Sequence, residues 1–466
     1  MRSLLIVFYC LVSALTIKAN GQDRLWKIQT TDYHGTYYGA TVANGGIGIL
    51  PWKEPFSIRH VMLNHVFDSA TPQDVSRVLR GINPFNLQMQ INGQTVNGDN
   101  ISGWEQCIDM KEATHNTHFI CDGKADVSYS ICALRNLPYA GLVRVEVTAL
   151  GDMYLTVSNP IEVPDEYKNI GSKLVNVNVN GNDIKIVRTW ALSKHREQKV
   201  SASSAFIYDK NSNVQQQYNG NGQISIPLKK GEKFFFTLLG AVCTGRDFID
   251  PYNEADREVI YGAKEGLARL MDGHQKLWDE MWKGDIVIEG DDEAQRAVRF
   301  ALYNLYSNAR KGSRLSIPPF GLSSQGYNGH IFWDTEFWMY PPMLFMNQGI
   351  ARTMMDYRTD RLEAACQKAL SYGYDGAMFP WESDDAGEEA CPTWALTGPF
   401  EHHITADIAI AAWNYYCMSG DQRWLREEGF PLMEKVAEFW VSRVEKNDDG
   451  SYSIRNVVCA DEYAEG

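Results

Sequence analysis

With 466 residues the chain is longer than one hydrophobic core ordinarily serves, so more than one domain is expected. Hydrophobic residues make up 44% and charged residues 22%, the balance of a folded protein rather than a disordered one. A net charge of −14 repels phosphate backbones and anionic lipid, which excludes nucleic-acid binding as a leading function.

The first element is a leader. Arg2 precedes an almost wholly apolar run over residues 4–17, and Ala19-Asn20-Gly21 supplies small residues before a mature start near Gln22. This predicts a signal peptide over 1–21 and a secreted or periplasmic protein. The run is too short for a membrane anchor, which needs about 20 apolar residues, and no membrane insertion is expected further along. Cys10 leaves with the leader. The other eight cysteines form no C-x-x-C pair, so a metal site has little support, and no cofactor motif is evident. Cys107 and Cys121 either pair across a loop or remain buried thiols.

Residues 22–250 read as strands. Leu87, Met89 and Ile91 alternate with polar residues and run into Asn92-Gly93, a preferred hairpin turn. Val175, Val177 and Val179 repeat the pattern before Asn180-Gly181. Further strands are expected around Ile224-Ser225-Ile226 and over 234–239. A large antiparallel β-sandwich accounts for this stretch. The glycines of Asn44-Gly45-Gly46-Ile47-Gly48 do not match G-x-G-x-x-G, and tight turns explain them better than a phosphate loop.

Around Pro251 the periodicity changes. A helix over 254–282 bridges the halves, within a linker spanning 251–290. From 291 to 466 helices dominate: Ala294, Val298, Leu302 and Leu305 follow Asp291-Asp292-Glu293, an acidic helix start. More helices are expected over 335–346, 349–372, 402–419 and 421–446.

Three segments interrupt that rhythm: 326–336, 376–387 running on to His402-His403, and 459–466. About two antiparallel helices separate each from the next, and an even number returns the chain to the same end. The three should gather at one mouth, bringing together Trp333, Asp334, Glu336, Trp381, Glu382, His402, His403, Asp461 and Glu462. Carboxylates accept hydrogen bonds from sugar hydroxyls, indoles stack on pyranose faces, and a carboxylic acid can protonate a glycosidic oxygen. Each residue also has a plainer role. Asp334 suits a helix cap, Trp381-Glu382 a turn, His402-His403 a packed or capping pair, and Asp384, Asp385, Glu388 and Glu389 a solvated loop.

Gly329-His-Ile-Phe-Trp-Asp-Thr-Glu336, Phe379-Pro-Trp-Glu-Ser383, His403-Ile-Thr-Ala-Asp407 and Asp461-Glu-Tyr463 resemble, in order and spacing, the motifs of glycoside hydrolase family 65. Its members are inverting hydrolases and phosphorylases of α-glucosides. The resemblance covers essentially all of the mature chain. It implies a β-sandwich, a helical linker and the first part of an (α/α)6 barrel. Glu462 is then the general acid, while Trp333, Asp334, Trp381 and Glu382 shape the pocket for the non-reducing glucose. The implied partner is an α-glucoside, kojibiose-type α-1,2-glucosides first, with trehalose, nigerose and maltose behind and a homodimer as an admissible assembly. The chain stops four residues after Glu462, with about half of such a barrel in hand. A longer protein is therefore expected, with a hydrolase's general base beyond Gly466 and no activity in the piece alone. Cys459-Ala460 and Ala464 replace the family phosphorylases' Gly-Pro and His around the acid. Secretion favours water over phosphate as nucleophile, since a sugar phosphate made outside the cell is wasted. The alternatives are an inverting phosphorylase and, from another class, a non-catalytic sugar-binding protein on the same fold.

Overall fold

The computed structural model describes residues 23–69, 75–179, 181–209 and 211–462. The leader expected over 1–21 and residues 463–466 lie outside the described residues.

Sheet structure runs from Lys27 to Thr244. A nine-stranded antiparallel sheet carries Ile101–Asp109, Thr114–Cys121, Ala125–Ala133 and Ala140–Ala149 as successive neighbours, followed by Lys233–Thr244, Lys199–Tyr208, Asn182–Ser193 and Tyr167–Val179. A five-stranded sheet containing Gln88–Ile91, Met153–Asn159 and Gly222–Leu228, and a four-stranded sheet containing Ile47–Pro51, Ile58–Ser69 and Ser76–Gly81, share a core with it. Val127, Ile131 and Val145 of the large sheet belong to one buried cluster with Leu155, Val157, Ile224, Ile49, Val61 and Leu63. The expected hairpin forms: Asn92 and Gly93 both take positive φ, 51° and 81°, the mirror-image turn whose twist matches its strands.

Lys233–Thr244 is buried almost continuously rather than alternately, because both faces of the sheet are covered. Its outer face, with Leu142, Ile186, Leu239 and Ala241, packs against Val259 and Leu270 of two helices, Pro251–Glu265 and Leu267–Met281. One helix was expected here. Gly266 divides it: at φ 81° and ψ 152° it leaves the helical region for one that is essentially glycine's alone and costs other residues about 1–3 kcal/mol.

The glycine-rich run 44–48 makes a turn, and it also lets the β domain approach the helical half. A Cβ on Gly45 would lie 2.7 Å from the Ala309 carbonyl carbon, and one on Gly48 would lie 2.2 Å from the Leu322 carbonyl oxygen. Tyr303 Oη donates to the Thr41 carbonyl across the same junction (3.0 Å).

In the helical half Asp291 caps Asp292–Asn308, as expected, accepting from the Glu293 and Ala294 amides. The helix expected over 349–372 is two, Gln348–Thr359 and Leu362–Ser371. The chain unwinds between them, where Asp360 is engaged by Arg314 and the Arg361 guanidinium donates to the carbonyls of Tyr357 and Asp385. Two other helices open with a widened turn, Thr335–Met339 before Tyr340–Met346 and Leu425–Gly429 before Phe430–Arg443. Each widened turn abuts a proline, Pro341 or Pro431. A proline has no N–H for the usual bond and its ring crowds the carbonyl four residues back. The Tyr340 and Phe430 amides bond instead to Thr335 and Leu425, five residues back.

The disulfide option is not realised, and both thiols are free and buried. Cys107 pairs with Asn116 and Cys121 with Ile101, so the two residues sit five positions apart along Thr114–Cys121, roughly 17 Å at about 3.3 Å per residue. Among the described residues no helix is long and apolar enough to cross a membrane.

Candidate active site

Backbone bonds tie the three expected segments together. Ile331 and Ser383 exchange amide-to-carbonyl bonds of 2.9 Å in both directions, joining the first segment to the second. The Val458 amide donates to the Phe400 carbonyl (3.1 Å), and Glu401 bridges Val458, which brings the third segment alongside.

At the junction the two predicted indoles face each other. Trp381 is buried and Trp333 half-buried, with ring centroids 6.4 Å apart and planes inclined by 31°. His403 stands edge-on to both, 4.8 Å from Trp333 and 5.4 Å from Trp381. Its Nδ1 lies 2.7 Å from Asp407 and its Nε2 3.0 Å from Glu401, so both ring nitrogens face carboxylates. Burial opposes a charge there, but the bonds to Asp407 and then Glu401 prevail and push the imidazole up to about 9. His403 is thus a cation wedged against the indole pair rather than a neutral packed or capping residue.

Asp334 does not cap a helix. Its backbone is already helical and its side chain makes no capping bond. Burial raises its carboxyl above the usual carboxylate range. Glu462 is exposed at the edge of the cluster. Partial burial and then the negative charges of Asp334 and Glu382 raise it, against the opposing pull of His403. Glu382 is turned toward His330, whose Nδ1 lies 2.8 Å from Glu382 Oε2. Trp333, Asp334, Trp381, Glu382 and Glu462 therefore share one neighbourhood.

Glu336 and His402, expected at the mouth, are elsewhere. Glu336 is buried in a two-pronged pair with Arg358 at 2.7 and 2.9 Å. Burial raises its carboxyl and the guanidinium opposes that. His402 is packed, as its plainer role implies: its Nε2 faces the Pro399 carbonyl, its Nδ1 accepts from Arg443, and burial pushes it down to about 4.

Of the acidic run only Glu388 is exposed as a solvated loop would have it. Glu389 accepts from the backbone amides of Trp381 (2.8 Å), Glu382 (3.0 Å) and Cys391 (3.2 Å) and pairs with Lys368 at 2.5 Å. It is the strut that fixes the Trp381-Glu382 backbone. Asp384 is buried and accepts from Ser76 and Arg196 of the β domain. His330 and Glu389 are the residues that sequence reasoning missed. His330 lies inside a recognised motif, but its partners lie far away in the chain; nothing local separates Glu389 from its acidic neighbours. Among the described residues no group of three or more His, Cys, Asp and Glu side chains is arranged to hold a metal ion.

Two family models match successive parts of the chain. The N-terminal domain model of glycosyl hydrolase family 65 matches residues 39–281, and that family's central catalytic domain model matches 299–466. A kojibiose hydrolase of Flavobacterium johnsoniae is 43% identical over 92% of this chain and 64% of its own length. A kojibiose hydrolase of Mucilaginibacter mallensis is 38% identical over 98% of this chain and 68% of its own. The chain thus spans about two thirds of these relatives. A solved structure assigned as a kojibiose phosphorylase from the human microbiome superposes with a TM-score of 0.79 at 16% identity, over 95% of this chain and 62% of that one, a likeness of fold.

Proposed function

The chain belongs to glycosyl hydrolase family 65, and from that premise we propose that the complete protein is an inverting hydrolase of α-glucosides, with kojibiose as the favoured substrate. Two relatives that match over more than nine-tenths of this chain bear the name kojibiose hydrolase, which supports the substrate. The observation that carries the chemistry is the position of Glu462 beside Asp334, Glu382 and the Trp333–Trp381 pair.

A general acid must keep its proton until the departing oxygen takes it, and burial with the charges of Asp334 and Glu382 raises the Glu462 carboxyl in the direction that favours this. Glu462 gives the proton to the glycosidic oxygen as the bond from that oxygen to the anomeric carbon breaks. Water attacks the anomeric carbon from the opposite face, and its surplus proton leaves to a base that no described residue is assigned to supply. One displacement releases β-glucose. Positive charge grows on the glucosyl ring as the bond stretches, and Asp334 and Glu382 supply negative charge beside it. Trp333, half-buried, offers an apolar face for the ring, with the buried Trp381 packed behind it. Export, expected from residues 1–21, fits water as nucleophile.

Glu462→Gln in the complete protein tests this. Kojibiose turnover should collapse, whereas α-glucosyl fluoride, whose leaving group needs no proton, should be far less affected. Equal losses on both substrates would remove Glu462 from the role of acid. Proton NMR of fresh product should show β-glucose. Retained α-glucose would contradict inversion, and glucose 1-phosphate formed only with added phosphate would establish phosphorolysis instead.

A further inference from the structure

His330 has no exposed surface and is gripped on three sides. Phe67, on the strand Ile58–Ser69, stacks on its ring at 5.7 Å with planes 12° apart. Nε2 lies 2.8 Å from the Ser76 carbonyl and 3.2 Å from Ser76 Oγ, at the start of the paired strand Ser76–Gly81. Nδ1 faces Glu382. The β domain thus reaches through a two-stranded hairpin to a ring that touches a carboxylate of the site.

The proton positions follow from the partners. Ser76 Oγ donates its one proton to Asp384 Oδ2 (3.1 Å), so toward His330 both Ser76 oxygens present lone pairs. Nε2 must then carry hydrogen and donate. A neutral ring would leave Nδ1 bare against Glu382 Oε2, an approach of 2.8 Å that requires a proton between them. The contact is therefore a hydrogen bond sharing one proton, charge-assisted and directional, and it leaves the second oxygen of Glu382 for another partner.

We propose that His330 is a positioning residue, anchored on the Ser76 carbonyl and holding Glu382 at the angle from which its remaining oxygen binds a hydroxyl of the non-reducing glucose. The β domain thereby acts as part of the glucose site without touching the sugar. This rests on the hydrolase reading for its substrate, though the anchoring itself does not. Glu389 fixes the backbone of Glu382 and His330 fixes its carboxylate, so the two leave it little rotational freedom.

Two substitutions divide the contacts, because an Asn amide falls near Nδ1 and a Gln amide near Nε2. His330→Asn keeps the donor to Glu382 and should retain kcat/KM within several-fold. His330→Gln keeps the bond to Ser76 and frees Glu382, and should lose about 100-fold, the scale of an ångström's misplacement in a site. The loss should be the same for kojibiose and α-glucosyl fluoride, since both place the same glucose, and adding His330→Gln to Glu382→Gln should cost nothing more than Glu382→Gln alone. Equal losses in both variants, or full additivity with Glu382→Gln, would overturn the proposal. If the Gln variant does not fold, the Asn variant decides alone, and a loss near 100-fold there would overturn it. 15N spectra of histidine-labelled protein report independently of turnover: the His330 Nδ1 resonance should move when Glu382 becomes Gln, and an unmoved resonance would refute the anchoring even in an active enzyme.

Discussion

His403 sets a pH dependence of stability that can be worked from its contacts. The folded protein holds its imidazole at about 9 against an ordinary 6.5, through Asp407 and Glu401. At about 1.36 kcal/mol per pH unit this corresponds to about 3.4 kcal/mol, and partial exposure of the ring to screening water reduces it to about 2 kcal/mol. A folded value above the unfolded one means that the folded state binds the proton more tightly. The contribution is complete below about pH 6.5 and disappears as pH rises through about 9. His60, His65, His115, His274 and His402 are all pushed down, so their titrations fall below this window. Urea midpoints followed by tryptophan fluorescence are the assay, because Trp333 and Trp381 flank the ring. The protein should lose about 2 kcal/mol between pH 6.5 and 9.5. His403→Gln should start lower and stay flat over the same range. Parallel curves for protein and variant would refute the ion triad as the source.

Asp334→Asn removes a negative neighbour that helps to raise Glu462, so Glu462 should lose its proton at lower pH. The alkaline limb of kcat/KM for kojibiose should therefore move toward acid, and a limb that stayed or moved upward would contradict the coupling. Gly48→Ala puts a methyl into the Leu322 carbonyl and should cost about 1–3 kcal/mol as the β domain is forced off the helical half, read as a lowered unfolding midpoint.

Local chemistry made the strands and most helices legible. The alternation before Asn92-Gly93 and the acidic start at Asp291 each carry their physics within a few residues. The gathering of three segments was expected from helix parity, yet three helices rather than two separate the first from the second, and the observed link is the pair of backbone bonds between Ile331 and Ser383. What could not be read depends on partners distant in sequence. Glu389 and Glu388 are alike as text. Only one meets Lys368 and three amides, while Glu388 is exposed. His330 stands just before Trp333 and Asp334, which were singled out for sugar binding, yet its partner lies 254 positions earlier, at Ser76. The strand pairing that separates Cys107 from Cys121 likewise depends on ladder register, which the spacing of two cysteines does not specify.

The same distant partners sort the site's acids into those already committed and those left for a substrate. Glu336 is neutralised by Arg358, and Glu389 by Lys368 and the backbone amides. Glu401 and Asp407 share His403, and Glu382 gives one oxygen to His330. A buried carboxylate that loses such a cation leaves an uncompensated charge, at a cost of about 3–5 kcal/mol, so the fully buried Glu336–Arg358 pair is bound to the fold before any sugar arrives. Among the described residues Asp334 and Glu462 make no ion pair with a cation. Their raised carboxyls follow from that: burial raises Asp334 against a bond from its own backbone, while burial and the charges of Asp334 and Glu382 raise Glu462 against the pull of His403. An acid that must release its proton to a departing oxygen cannot also be held by a permanent counter-ion. The position of Glu462 at the exposed edge, near acids and in no ion pair among the described residues, supports the proton donation proposed for it.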